Sequence, residues 1–152
     1  MNTEREFAHK VRHHLNLGTE AIDRGTAERL PVLVIDDNVD TLQLMQRYLS
    51  NSRYHFVGAS DPEQALALAE ELSPAIIVLD VMLPGVDGWE LLGRLREHPK
   101  TSEIPVIVCT ILPQRQLALM LGAAEFIRKP VTRRILLSAL DRQVDRWLIK
   151  PR

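Results

Sequence analysis

The chain has 152 residues, 45% of them hydrophobic and 26% charged, which is the make-up of one globular domain with some residues to spare. Nineteen basic and twenty acidic residues leave a net charge of −1, which excludes the global basic field that attracts nucleic acid or an anionic membrane. The only cysteine, Cys109, lies in an apolar run, and the sequence shows neither a signal region nor the roughly 20 apolar residues that span a membrane. We therefore expect a cytoplasmic protein that binds neither nucleic acid nor membrane directly.

The first 30 residues contain their own helix signal. Thr3 followed by Glu6 forms a capping box, and apolar residues follow it at helical spacing. Gly18 and Gly25 interrupt the pattern further on, so a second helix there would be short. We interpret residues 1–30 as a helical N-terminal extension or linker that packs on the domain or mediates a homodimer.

From residue 31 onward, apolar runs rich in strand-forming residues alternate five times with segments of helical period. The predicted strands are 31–36, 54–60, 75–80, 105–110 and 125–128, and the predicted helices are 41–49, 62–72, 88–97, 114–121 and 132–148. Asp61 is the expected N-cap of the second helix. The alternation is typical of an α/β domain with a parallel five-stranded sheet, a (βα)5 arrangement over residues 31–148. Residues 149–152 are interpreted as a C-terminal tail.

Polar side chains stand where four of the predicted strands end. Asp36 and Asp37 close the first strand, Asp80 the third and Thr110 the fourth, and Lys129 follows the fifth. Any one of them is explained by a strand reaching the surface, but the carboxyl ends of parallel strands share one edge, so five together predict a ligand site. Carboxylates about 4 Å apart repel by roughly 4 kcal/mol at an effective dielectric near 20, so the cluster requires a cation. Oxygen ligands of this kind suit Mg2+.

Four segments carry a resemblance to a known family: "VLVIDDN", "IIVLDVMLPGVDG", "PVIVCT" and "GAAEFIRKP". They resemble the receiver domain of two-component response regulators, and the resemblance covers residues 31–148. It implies the doubly wound, flavodoxin-like fold of the chemotaxis regulator, with strand order 2-1-3-4-5. The implied function is to accept a phosphoryl group on one aspartate and so switch the binding of a partner. The implied partners are a histidine kinase or phosphotransfer protein, and a downstream protein or effector domain. No enzymatic activity is implied beyond slow loss of the domain's own phosphoryl group.

The resemblance also assigns roles to the residues of the phosphorylation site. Asp80 corresponds to the phosphoacceptor, Lys129 to the residue that pairs with the phosphoryl oxygens, and Thr110 to the one that hydrogen-bonds a phosphoryl oxygen. Phe126 corresponds to an aromatic switch that moves with Thr110, although a phenylalanine there is also an ordinary core residue.

Magnesium is the implied cofactor. The implied metal ligands are Asp36, Asp37, Asp80 and the backbone carbonyl of Met82, with Asp37 coordinating directly and Asp36 acting through water.

The sequence departs from the family pattern in two places. Ile111 stands where a small residue usually follows the threonine, and the stretch from Thr110 to Gly122 is about one helical turn short. Two other interpretations remain. A magnesium-dependent phosphatase or nucleotidyl enzyme is disfavoured because no GxxxxGK[ST] phosphate loop is present. A receiver-like interaction module that is not controlled by phosphorylation is the alternative function.

Overall fold

Five strands pair in parallel to form one sheet in the computed structural model, which describes residues 29–149. In chain order the sheet strands are β1 Leu30–Ile35, β2 Tyr54–Ala59, β3 Ile76–Leu79, β4 Val106–Thr110 and β5 Glu125–Arg128. The helices are α1 Val39–Leu49, α2 Pro62–Leu72, α3 Gly88–Glu97, α4 Arg115–Met120 and α5 Arg133–Ile149. The strand order is β2-β1-β3-β4-β5, so the predicted doubly wound α/β fold and its topology are confirmed.

Local sequence signals explain where three of the helices begin. Asp61 accepts a hydrogen bond from the Gln64 amide at the start of α2, as predicted. Asn38 caps α1 in the same way through the amide of Thr41. The side chain of Asp87 accepts from the amide of Trp89 at the start of α3. Each cap satisfies a backbone donor that has no partner inside the helix.

The sheet is covered on both faces, and each face has its own apolar core. One core lies between the sheet and helices α1 and α5, where Met45, Leu49, Leu136 and Leu140 are buried. The other lies against α2, α3 and α4. All four residues of β3 are buried, as expected for the central strand of a doubly covered sheet. This packing fixes the strand ends, which carry the candidate site.

The observed elements differ from the sequence-based predictions mainly at their ends. The first strand begins at Leu30, one residue earlier than predicted. Helix α1 begins at Val39, two residues earlier than predicted, because Asn38 caps it. The predicted shortening between Thr110 and Gly122 leaves α4 with six residues. A small antiparallel hairpin, Met82–Leu83 with Val86–Asp87, was not predicted, since two-residue strands give no periodic signal.

Some predictions fall outside the described part of the chain. Residues 1–28, which contain the predicted N-terminal helix, and residues 150–152 are not described, so the role of the extension stays a prediction. Between residues 29 and 149, none of the helices has the length and apolar character needed to cross a membrane.

Candidate functional site

Two carboxylates and an ammonium group meet at the carboxyl edge of the sheet. Asp36 follows β1, Asp80 follows β3, and Lys129 follows β5. The Nζ atom of Lys129 lies 2.7 Å from Asp36 Oδ2 and 2.7 Å from Asp80 Oδ2. The three side chains are 4%, 9% and 17% exposed, respectively, so the interaction is largely shielded from solvent. The structure therefore brings these three predicted site residues into direct contact.

Burial and pairing determine the charge state of this cluster. Burial raises the pKa of Asp36, and hydrogen bonds from Lys129 and the Asn38 amide offset part of that effect. Burial by itself would lower the pKa of Lys129, but its hydrogen bonds to Asp36 and Asp80 outweigh this and raise the pKa. Lys129 is thus held as a cation between two acids. The charge of Lys129 offsets part of the repulsion between Asp36 and Asp80, and the predicted divalent cation stays a prediction.

Each of the two buried carboxylates is also fixed by a backbone amide. Asp80 Oδ1 accepts a hydrogen bond of 2.9 Å from the Met82 amide, and Asp36 Oδ1 accepts one of 2.9 Å from the Asn38 amide. Both oxygens of each carboxylate are therefore engaged, one with the backbone and one with Lys129. This arrangement leaves the two side chains little freedom to rotate.

Asp37 lies differently from its neighbour Asp36. It is exposed, and it lines a shallow depression together with Met82, Pro84 and Val86 of the hairpin. In residues 29–149, no three His, Cys, Asp or Glu side chains are grouped so that they alone could hold a metal ion. The predicted carboxylate ligands are Asp36, Asp37 and Asp80, and of these only Asp37 is exposed. This donor set fits a hard divalent cation that keeps several waters, as Mg2+ does, and does not fit a structural zinc site.

Thr110 and Phe126 lie on the neighbouring strands β4 and β5. Thr110 is fully buried, its Oγ1 accepts from the Leu112 amide at 3.4 Å, and its carbonyl accepts from the Lys129 amide at 2.8 Å. Phe126 is buried in the core on the side of α4. The guanidinium carbon of Arg115, the first residue of α4, lies 5.3 Å from the centre of the Phe126 ring, which is a cation–π contact.

The loop after β4 leaves Ile111 at the surface. Its side chain is 55% exposed, and its carbonyl accepts a hydrogen bond from Arg128 Nε. The peptide bond between Lys129 and Pro130 is cis.

Two contacts in the site were missed by the sequence analysis. Asn38 both caps α1 and orients Asp36, and an Asn immediately before a helical pattern is a recognisable N-cap signal. The Arg115–Phe126 contact joins residues eleven positions apart and has no local sequence signature.

Comparison with known proteins decides the family. The model of the response regulator receiver domain matches residues 32–141. The chain belongs to the response regulator receiver family. A receiver domain is the phosphoacceptor unit of two-component signalling, and its partners are histidine kinases and downstream effector domains.

Other response regulators and receiver domains are similar to this receiver domain in sequence or in fold. The response regulator PleD of Caulobacter vibrioides is 38% identical over 103 residues, which are 66% of this chain but only 23% of PleD. The chemotaxis response regulator CheY4 of Vibrio cholerae is 26% identical with a TM-score of 0.70, covering 76% of this chain and 98% of CheY4. The receiver domain of sensor histidine kinase PA1611 from Pseudomonas aeruginosa is 24% identical with a TM-score of 0.70, covering 77% and 98% of the two chains. That structure has magnesium coordinated in its active-site cleft.

Proposed function

We propose that Asp80 is the phosphoacceptor of this receiver domain and that its phosphorylation depends on Mg2+. The observation that carries the proposal is the ammonium group of Lys129 held between Asp36 and Asp80 at the carboxyl edge of the sheet. Of the two acids, Asp80 is the one that follows the central strand, and the Met82 amide orients its carboxylate as the Asn38 amide orients that of Asp36. Its position next to a fixed cation is what an oxygen nucleophile for phosphoryl transfer requires.

The transfer itself uses few groups. A carboxylate oxygen of Asp80 attacks the phosphorus in line, a new O–P bond forms, and the bond from phosphorus to the donor's leaving group breaks. Lys129 neutralises charge on the phosphoryl oxygens, and Asp80 gives up that partner as it becomes an acyl phosphate. Lys129 keeps its contact with Asp36 throughout, so it stays aimed at the site.

Magnesium would be held by Asp37, Asp80 and the backbone carbonyl of Met82, with Asp36 acting through water. When bound, the cation would offset the negative charge of the carboxylates and of the transferred phosphoryl group. The exposure of Asp37 beside the hairpin supports its role as a direct ligand, since the cation and its waters need an open approach. The proximity of Asp36 to Lys129 supports an indirect role for Asp36.

Thr110 and Phe126 are proposed to carry the phosphorylation state to the surface. A phosphoryl group on Asp80 gives the O–H of Thr110 an oxygen to donate to, and the hydroxyl moves toward it, away from the Leu112 amide from which its oxygen accepts at 3.4 Å. Movement of β4 at this point changes the packing of Phe126 and, through the ring, the position of Arg115. A downstream protein or effector domain would recognise that surface, and a histidine kinase or phosphotransfer protein would supply the phosphoryl group.

The proposal is tested by mass spectrometry of the intact wild-type protein incubated with acetyl phosphate. With Mg2+ the mass should increase by one phosphoryl group, and peptide mapping should locate the group on the peptide that contains Asp80. Removal of the metal with EDTA should prevent the increase. If the mass does not change at any Mg2+ concentration, the domain is instead an interaction module that works without phosphorylation.

The metal assignment predicts that Asp37→Asn weakens Mg2+ binding at least tenfold. The substitution removes a full negative charge from a site whose attraction for the cation is mainly Coulombic. Isothermal titration calorimetry with MgCl2 measures the dissociation constant. Asp40→Asn is the matched control, because Asp40 is an exposed acid in the first turn of α1 and has the same charge. Equal losses in the two variants would mean that only net charge matters and that Asp37 is not a ligand.

A further prediction is that the phosphorylated state of this domain is long-lived for its family. Hydrolysis needs a water aligned behind the phosphorus, and Met82 and Leu112 occupy the positions that flank its path in the family pattern. Met82 is 45% exposed, whereas Leu112 packs partly against the core. A thioether is only a weak acceptor and an isobutyl group has no polar atom, so neither positions a water well, and losing a positioned water or base typically costs on the order of a hundredfold in rate.

The measurement is the decay of Asp80 phosphate after the donor is removed. We expect the double variant Met82→Asn, Leu112→Glu to lose its phosphoryl group up to a hundredfold faster than the wild type. A Met82→Leu, Leu112→Met variant changes the same two positions without adding polar atoms and should decay at the wild-type rate. Equal decay in all three proteins would contradict the prediction.

A further inference from the structure

The amino-terminal residue of α3, Gly88, packs directly on the backbone next to Asp80. A Cβ atom built on Gly88 would lie 2.1 Å from the carbonyl oxygen of Val81, 2.3 Å from its Cα and 2.5 Å from its carbonyl carbon. All three neighbours are backbone atoms, and Val81 is only 5% exposed. No side chain can move aside to make room for a larger residue at this position.

Space, rather than backbone conformation, requires a glycine at position 88. Gly85 in the same loop shows the opposite case, because its φ of +69° favours glycine while nothing lies within 4 Å of its missing Cβ. The hairpin between the two segments pairs Met82 with Asp87 and so returns the chain onto Val81. The close approach of α3 to this loop therefore follows from the pairing of the hairpin.

The backbone that Gly88 contacts is the one that orients the proposed phosphoacceptor. The carbonyl of Val81 and the amide of Met82 belong to the same planar peptide group. That amide donates the 2.9 Å hydrogen bond to Asp80 Oδ1. The next carbonyl, that of Met82, is the proposed backbone ligand for Mg2+. A shift of the Val81–Met82 peptide would thus displace both groups.

We propose that Gly88 is a positioning residue that acts through the Val81–Met82 peptide to set the orientation of the Asp80 carboxylate and the Met82 carbonyl. The proposal rests on the assignment of Asp80 as phosphoacceptor. An added methyl group must move the peptide or the start of α3, and a misplacement of about 1 Å can cost a hundredfold in rate. Gly88→Ala should therefore retain the fold but lower the rate of phosphorylation by about a hundredfold.

The matched control is Gly93→Ala in the same helix, because nothing lies within 4 Å of the missing Cβ of Gly93. Phosphorylation by acetyl phosphate is measured over a range of Mg2+ concentrations for the wild type and both variants. Gly93→Ala should keep the wild-type rate and raise Tm, since alanine favours a helix interior over glycine. Gly88→Ala should show a lower maximal rate and a higher Mg2+ concentration at half-saturation. Equal rates in the two variants would overturn the proposal.

A spectroscopic measurement separates positioning from general destabilisation. In 1H–15N correlation spectra, the Met82 amide proton of Gly88→Ala should move upfield as its hydrogen bond to Asp80 lengthens, while amides of β2 stay in place. An unchanged Met82 amide would overturn the proposal. This readout needs no phosphorylation, so it stands even if the wild type takes up no phosphoryl group, a result that would remove only the proposed function.

A second pair of variants tests the same contact without adding bulk, in case Gly88→Ala does not fold. Asp87→Ala removes the cap that holds the first turn of α3 on the hairpin, and Asp87→Asn removes the charge but retains a capping side chain. We expect a several-fold slower phosphorylation and a shifted Met82 amide in Asp87→Ala, with a smaller effect in Asp87→Asn. Identical behaviour of the two Asp87 variants would overturn the proposal.

Discussion

Asp80→Asn is expected to take up no phosphoryl group from acetyl phosphate under conditions in which the wild type takes up one. An amide is not a nucleophile for phosphorus, so the acceptor is lost completely. The substitution should leave the fold intact, because the amide oxygen of asparagine can still accept from the Met82 amide and Lys129 keeps its contact with Asp36. Intact-mass spectrometry measures the outcome.

Asp61→Asn is the control for this substitution. Asp61 caps α2, and asparagine caps a helix about as well as aspartate, so this variant should be phosphorylated like the wild type. Persistence of the full mass increase in Asp80→Asn would show that a different residue is the acceptor. The next candidates would then be Asp36 and Asp37, which lie at the same edge of the sheet.

Lys129→Met should slow phosphorylation by about a hundred- to a thousandfold, which is the usual effect of removing one fixed donor for developing charge. The same variant should bind Mg2+ more tightly than the wild type. Lys129 occupies one oxygen of Asp36 and one of Asp80, so it competes with any cation for the same carboxylates. Opposite effects on metal affinity and rate distinguish this variant from one that simply disrupts the site.

Lys100→Met serves as the control because Lys100 is exposed in the connection between α3 and β4. It removes the same charge from the chain at a distant place and should change neither quantity. Thermal unfolding in the presence of Mg2+ shows whether Lys129→Met remains folded. If folded Lys129→Met is phosphorylated at the wild-type rate, then Lys129 does not assist the transfer, and its role is only to hold the carboxylates of Asp36 and Asp80 together.

The fold could be predicted because apolar residues follow the strand period and the helical period clearly in this chain. The strands and helices were predicted in the right order, and α2, α3 and β5 were predicted with their observed bounds. The site could be predicted because its residues stand at strand ends, and a parallel sheet brings those ends to one edge whatever the intervening lengths.

The details of the site could not be read in the same way, because they depend on side-chain contacts across long stretches of chain. The hydrogen bonds from Lys129 to Asp36 and Asp80 span 93 and 49 residues. Which of the two adjacent acids is buried was also not predicted from the sequence: Asp36 is buried and Asp37 is exposed, because successive side chains at the end of a strand point in opposite directions. The roles assigned to these residues stay predictions until the variants are measured.

Helix α4 is short, and this lowers the free energy that is needed to change its conformation. A helix of six residues contains few internal hydrogen bonds, and its N-cap residue Gln114 makes no capping hydrogen bond through its side chain. Such an element opens and re-forms at low cost compared with α3 or α5, which are longer and buried along one side. Its first residue rests on the ring of Phe126. We therefore expect a small displacement of that ring to be enough to unwind or redirect α4, whose Met120 is 82% exposed.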